Sequence, residues 1–217
     1  MYKKDNISMS VIRRLPRYYR FLQELKNSGV TRISSRDLAE RMGSSASQIR
    51  QDFNCFGGFG QQGYGYDVGF LYDVIGKILG LQECHPAMLI GIGNLGRAVI
   101  NHMSLPSLGF SLVALFDIDP DVVGTEVGGM IVRDVATLED FCRDSDVETV
   151  FLCVPRESAS QLADVLYKGG IRYFWNFSHY DFATRYPDVI VENVHLNDSL
   201  MTLCYRINED KHPSHVE

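Results

Sequence analysis

The sequence predicts an α/β fold with helices first, a parallel sheet second and one more helix last. Three observations lead there. The apolar run Ala87-Met88-Leu89-Ile90 enters Gly91-Ile92-Gly93-Asn94-Leu95-Gly96 and continues into helical Arg97-Ala98-Val99-Ile100. Ahead of it, three helical patterns lead into a stretch rich in glycine and aromatic residues, residues 57–66. Behind it, strand patterns alternate with helical ones until Leu196, Leu200, Leu203 and Ile207 recur at steps of four, three and four. The fold class is therefore an N-terminal winged helix-turn-helix domain, a Rossmann-like dinucleotide-binding domain and a C-terminal helix whose stripe fits either packing on its own sheet or, as a dimerisation helix, reaching a partner subunit. The expected bounds are residues 1–80, 81–194 and 195–217.

In the N-terminal part, Ile12, Leu15, Tyr19, Leu22 and Leu25 mark an amphipathic helix, with Pro16 tolerable only near its start, so a main helix is expected over residues 16–27. Ser34-Ser35-Arg36-Asp37 reads as the cap of a second helix that buries Leu38, Ala39 and Met42 and stops at Gly43. Ser45-Ala46-Ser47-Gln48 resembles a capping box and opens a third, over residues 47–53, with Ile49 and Phe53 turned to the core. Two short helices joined by a glycine turn are the helix-turn-helix pattern. Ser45, Ser47, Gln48, Arg50 and Gln51 on the third helix, with Ser35 on the second, are residue types that reach base edges or phosphates in a major groove. A three-helix module without DNA contacts fits the same spacing. The glycine-rich stretch predicts a hairpin tipped near Gln61-Gln62-Gly63, a candidate wing beside the third helix. Asp67 caps a fourth helix carrying Leu71, Val74, Ile75 and Ile78, and residues 81–86 read as a linker.

The glycine motif carries the second part. Gly91 permits a tight turn out of the strand, Gly93 lets a pyrophosphate approach the backbone, and Gly96 lets helix and strand pack closely. The helix N-terminus, opening at Asn94 and Leu95, offers free N–H groups and a positive dipole end. A second strand, residues 111–116, ends in Asp117, 21 residues after Gly96. An acid there bonds ribose hydroxyls and repels a 2′-phosphate, which favours NAD(H) over NADP(H). Further strands are expected over residues 148–155, 171–177 and 189–194, and a hairpin or loop excursion over residues 124–132. Val154, Pro155, Asn176 and Phe177 fall at the strand ends, where the ligand of an open α/β sheet lies.

Charge divides the chain in the same way. Residues 1–80 hold 12 Lys/Arg against 7 Asp/Glu, a balance of +5, whereas residues 81–217 stand at −11. A basic segment attracts phosphate backbones. No apolar run approaches the ~20 residues of a membrane span, and no signal-peptide pattern is visible, so a cytoplasmic protein is expected. The five cysteines form no CxxC pair and read as reduced thiols, with Cys153 and Cys204 as core residues and Cys55 as a packing residue ahead of any redox role. The histidines are too sparse for a metal site.

Two enzyme-free readings and one enzyme reading remain. A small NAD-dependent oxidoreductase needs a general acid or base beside the nicotinamide, and no Tyr-x-x-x-Lys or His–carboxylate arrangement follows the glycine motif. A coenzyme A- or ATP-binding module has no need of Asp117. A DNA-binding repressor with a nucleotide as effector uses every segment.

The residues Leu15-Pro16-Arg17-Tyr18-Tyr19-Arg20, Ile33-Ser34-Ser35, Gln48-Ile49-Arg50-Gln51-Asp52-Phe53, Phe56-Gly57-Gly58-Phe59-Gly60, Gly63-Tyr64-Gly65-Tyr66, the glycine motif and Val191-Glu192-Asn193-Val194 resemble the redox-sensing repressor family Rex, in order and over nearly the whole chain. The resemblance implies a homodimer that binds inverted-repeat, double-stranded operator DNA through two winged helices and exchanges its C-terminal helix. It implies that NADH releases the DNA while NAD+ permits binding. It assigns Arg50 and Gln51 to the reading helix, Gln62 to the wing and Asp117 to the ribose. Many members carry basic residues at Gln51 and around Gln61-Gln62, so weaker phosphate affinity is expected here. In some members an aspartate, an arginine and a tyrosine form a switch. This chain keeps Arg20 but has His195 and His102 at the other two positions. Protonation of either histidine would make the response pH-dependent; uncharged packing histidines are the alternative.

Overall fold

The computed structural model describes residues 7–57, 60–61 and 64–212. The chain divides into two compact units, Met1–Glu83 and Cys84–Glu217.

In the first unit the chain runs α1 (Met9–Ile12), α2 (Leu15–Asn27), β1 (Arg32–Ile33), α3 (Ser35–Met42), α4 (Ala46–Asn54), β2 (Gly60–Gln61), β3 (Gly65–Asp67) and α5 (Val68–Ile78). Pro16 sits in the first turn of α2, where its missing N–H has no helical partner to lose. The expected caps form: Ser34, Ser45 and Asp67 accept from the N–H groups of Asp37, Gln48 and Phe70. The helices bury one apolar set, in which Leu15, Tyr18, Leu22, Leu38, Ile49, Phe53 and Leu71 are all at most 1% exposed. Each such side chain contributes about 1.5–3 kcal/mol. Tyr19 and Tyr72 stack at 4.3 Å and share a 2.7 Å hydroxyl bond, fixing α2 against α5. The wing is a three-stranded sheet in the order β1-β3-β2, so the hairpin has an additional strand, Arg32–Ile33, that its two residues are too few to announce by alternation.

The second unit runs β4 (His85–Ile90), α6 (Asn94–His102), β5 (Phe110–Asp117), β6 (Glu126–Val127), β7 (Met130–Asp134), α7 (Leu138–Asp144), β8 (Thr149–Leu152), α8 (Arg156–Lys168), β9 (Tyr173–Asn176), α9 (Phe182–Arg185), β10 (Ile190–Asn193) and α10 (Leu196–Lys211). The sheet order is β10-β9-β8-β4-β5-β7-β6. Without β6 this is the 3-2-1-4-5-6 order of the dinucleotide-binding fold, with its switch point between β4 and β8. Residues 124–132 are therefore more than an excursion: β6 and β7 form a hairpin, and β7 joins the main sheet parallel to β5. Along β4, Met88 and Ile90 enter one apolar layer while Ala87 and Leu89 enter the other. Both faces are covered, which is why the parallel strands read as continuous apolar runs.

α10 departs from that pattern. Every residue from Leu196 to Lys211 is exposed, with Leu196 and Leu200 at 61%, Leu203 at 52% and Ile207 at 45%. Of the two placements open to this stripe, packing on its own sheet is not the one adopted. Cys204 lies on this helix and is exposed, which corrects its reading as a core residue; Cys55, at the end of α4, is exposed as well. The apolar neighbours of Cys204 belong to a face that no part of the same unit covers. Among the described residues no helix is long and apolar enough to cross a membrane.

One buried ionic cluster orients α4. Asp52 is fully buried. It accepts from Arg14 Nε and Nη2 at 2.7 Å each, from the Tyr18 hydroxyl at 2.7 Å and from Gln48 Nε2 at 2.8 Å. Burial alone would raise the Asp52 carboxyl, but these bonds outweigh it and hold it below its ordinary 3.8. Burial and the bond to Asp52 push the Tyr18 phenol well above its ordinary 10. Replacing Asp52 by Asn is expected to lower stability by about 2–3 kcal/mol, because one acceptor oxygen is left for four donors and Arg14 loses its counter-charge. Urea denaturation of the full chain checks this. A depressed carboxyl stabilises above its unfolded value and ceases to as pH falls through the folded one. The wild-type advantage is therefore complete above pH 3.8 and fades below it; equal midpoints at neutral pH contradict the assignment.

Candidate nucleotide loop and DNA-facing helix

The loop after β4 is built by three close approaches. The Gly91 N–H bonds Phe116 O at 2.9 Å and the Cys153 N–H bonds Ile90 O at 2.8 Å, so the loop leaves the sheet held on both sides. Gly91 has φ +97°, and a Cβ there would lie 2.5 Å from Cys153 O and 2.8 Å from Val154 Cγ1. A Cβ on Gly96 would collide with the Gly91 carbonyl and sit 3.2 Å from Leu89 Cδ2. Gly93 differs: it caps α6 in an extended conformation any residue adopts, and a Cβ there meets nothing within 4 Å. The amides of Asn94, Leu95 and Gly96 have no partner inside the helix, and Gly93 brings no capping side chain. Unspent donors and open space at a positive helix end fit a pyrophosphate.

Asp117 ends β5 beside this loop. Its Oδ2 accepts from the Ile92 N–H at 2.5 Å, and its Oδ1 accepts from the N–H groups of Ile118 and Asp119 at 2.7 and 3.0 Å. The register Ile90↔Leu152 and Leu152↔Asn176 lines up the strand ends, so Gly91, Val154 and Phe177 follow one edge. Val154 and Phe177 are half-buried there, and Pro155 is exposed as the cap of α8. Cys153 sits at the same edge, where burial pushes its thiol up to about 12 and keeps it protonated.

Asn176 is 1% exposed and fully engaged. Its Nδ2 donates to Tyr180 O and Asn193 Oδ1, and its Oδ1 accepts from the Ser178 N–H and hydroxyl. It organises the strand ends and keeps no donor for a ligand. The switch residues are not brought together in either unit: Arg20 is exposed on α2, His102 is exposed at the end of α6, and His195 caps α10. His195 instead meets His179, Nδ1 to Nδ1 at 2.5 Å, with the rings stacked at 4.6 Å. His179 holds φ +59°, the left-handed region. Positions 16 residues apart gave no sequence signal for this pair.

On α4, Ser47, Arg50 and Gln51 are exposed and Ser45 is spent as the helix cap. Arg50 Nη1 bonds Ser35 Oγ at 3.1 Å, tying α4 to α3. Gln48 is half-buried, and its amide is turned onto Asp52 instead of completing the capping box. Gln62 lies outside the described residues.

A winged helix-turn-helix joined to a dinucleotide-binding sheet defines a DNA-binding regulator of the ligand-controlled class. The family described as “Putative DNA-binding protein N-terminus” matches residues 6–54, and the one described as “CoA binding domain” matches residues 82–180. The chain is 51% identical to the redox-sensing transcriptional repressor Rex of Thermoanaerobacter pseudethanolicus, over 97% of this chain and 94% of that one. It is 50% identical to that of Caldicellulosiruptor bescii, over 96% of each. Two crystal structures are similar to it. RSP in complex with beta-NAD+ and operator DNA has a TM-score of 0.85 at 50% identity, covering 96% of this chain and 95% of that one. RSP in complex with beta-NADH has a TM-score of 0.88 at 46% identity, covering 99% and 100%. The chain belongs to the redox-sensing transcriptional repressor Rex family, whose members are regulators rather than enzymes.

The two outer glycines of the loop are expected to respond oppositely to a methyl group from the middle one. Gly96→Ala should lose about 1–3 kcal/mol through overpacking, whereas Gly93→Ala should melt like the wild type. Thermal denaturation without nucleotide tests this, and equal losses would contradict the packing described.

Proposed function

We propose that this protein is a transcriptional repressor whose hold on an inverted-repeat operator is set by the NADH/NAD+ ratio. The observation that carries the reading is the loop after β4, where Gly93 opens onto free space between unspent helix amides and Asp117. In this reading residues 1–80 bind DNA, residues 81–194 bind the nucleotide and residues 195–217 contain the dimer helix. Gly91, Gly93, Asn94, Leu95 and Gly96 cradle the pyrophosphate, Asp117 receives the adenosine ribose, and Val154, Pro155 and Phe177 lie toward the nicotinamide. Asn176 acts there by holding the strand ends in place. Asp117 disfavours a 2′-phosphate and so selects NAD(H).

Ser47, Arg50 and Gln51 face the major groove, Ser35 and Ser45 support them, and Gln62 adds a further DNA contact. Gln48 positions α4 through Asp52. The exposed stripe of α10 supports a homodimer, since leucines at a four-three spacing left bare by their own unit are the knobs of a helix partnership. Two reading helices then match an inverted repeat. The place of action is the cytoplasm. The switch is a population shift: the nucleotide-binding residues must hold NADH more tightly in the DNA-free form than in the DNA-bound one. A tenfold change in operator affinity corresponds to about 1.4 kcal/mol of coupling.

Fluorescence anisotropy of an operator fragment at fixed salt, titrated with NADH and then NAD+, tests the reading, with sedimentation reporting the oligomer. Release by micromolar NADH, retention with NAD+ and a dimeric mass are expected. DNA binding indifferent to both nucleotides refutes it. Gly93→Ala should keep the DNA binding and lose the response to NADH.

A further inference from the structure

Arg97 lies on the first turns of α6 with its guanidinium drawn back to the helix start. Its Nε donates to Ile92 O at 3.0 Å, a carbonyl that precedes the first helical residue, Asn94. The side chain is half-buried. Arg14, Arg143, Arg172 and Arg185 each meet an aspartate. Arg97, among the described residues, meets no carboxylate, and its two Nη groups have no protein acceptor. A cation belongs at the C-terminal end of a helix; at the N-terminal end it adds to the positive dipole pole and to the unspent amides there. Asp117 makes no bond to Arg97; its oxygens accept from the amides of Ile92, Ile118 and Asp119. An anion at the helix start would give acceptors to the Nη donors and to the first-turn amides together.

Resting on the nucleotide reading above, we propose that Arg97 is a pyrophosphate-binding residue of this site, fixed by Ile92 O so that its free Nη groups meet the phosphate oxygens. Its bond is charge-assisted, and guanidinium suits two oxygens at once. The pyrophosphate is identical in NADH and NAD+. Arg97 therefore sets how much total nucleotide the protein binds and leaves the discrimination between oxidised and reduced forms to the strand ends. In a cell it fixes the nucleotide concentration at which the sensor is occupied, separately from the ratio it reads.

Isothermal titration of the full chain with NADH, NAD+ and ADP-ribose tests this with Arg97→Gln and Arg97→Lys. Arg97→Gln should weaken all three by a common factor of about tenfold or more, leaving the NADH-to-NAD+ ratio of affinities unchanged, and Arg97→Lys should recover part of the loss. Without nucleotide, Arg97→Gln should melt no lower than the wild type, since it removes a cation from a positive helix end. Unchanged affinities overturn the proposal, as does a change confined to NADH, or a loss of affinity matched by a lower melting temperature. A wild type that binds none of the three refutes the nucleotide reading itself, an outcome distinct from a variant that binds as the wild type does.

Discussion

The packing of α6 onto β4 is the constraint from which the nucleotide loop follows. The helix start reaches the Gly91 carbonyl because Gly96 has no side chain, and Gly91, also without one, can turn in a left-handed conformation close against Cys153 and Val154. With these approaches fixed, the loop amide of Ile92 meets Asp117, and the first-turn amides of α6 point outward unspent. A ligand site of this kind consists mostly of backbone. In the proposed reading a few side chains at the rim, Asp117 and Arg97 among them, complete it.

The first unit follows an opposite rule. Its reading helix is placed by a buried charge instead of by absent side chains. Asp52 takes four hydrogen bonds from Arg14, Tyr18 and Gln48, and so joins α2 to α4 at a fixed rotation. A buried ion pair adds little net stability over apolar packing, yet breaking one is costly. What the cluster supplies is orientation: with Gln48 and Asp52 inward, the same turns of α4 present Ser47, Arg50 and Gln51 to the outside.

Much of this was legible in the sequence for definite reasons. Caps such as Ser34, Ser45 and Asp67 act within three residues of themselves, so they can be read from spacing. The parallel strands were visible because both faces are covered, and the glycine motif because its residues are consecutive. The remainder depends on distant partners or on too few residues. β1, α1 and α9 have at most four residues each, too short for periodicity. Asn176 read as a ligand residue because it stands at a strand end, but its partner Asn193 is 17 positions away. Gln48 read as a base contact because it sits on the reading helix, yet its partner Asp52 lies one turn further along the same helix, on the buried side. Cys204 read as core because the periodicity of α10 registers an apolar face without saying whether the same chain covers it.

In the proposed function nucleotide and operator oppose one another through a single protein equilibrium. Coupling of that kind is reciprocal: if NADH weakens operator binding by some factor, operator must weaken NADH binding by the same factor. Isothermal titration of NADH into the full chain, free and saturated with operator fragment at one salt concentration, measures this directly. A weaker NADH affinity is expected in the presence of operator, by about tenfold or more, with NAD+ affinity unchanged or strengthened. An NADH affinity identical in the two titrations would contradict it.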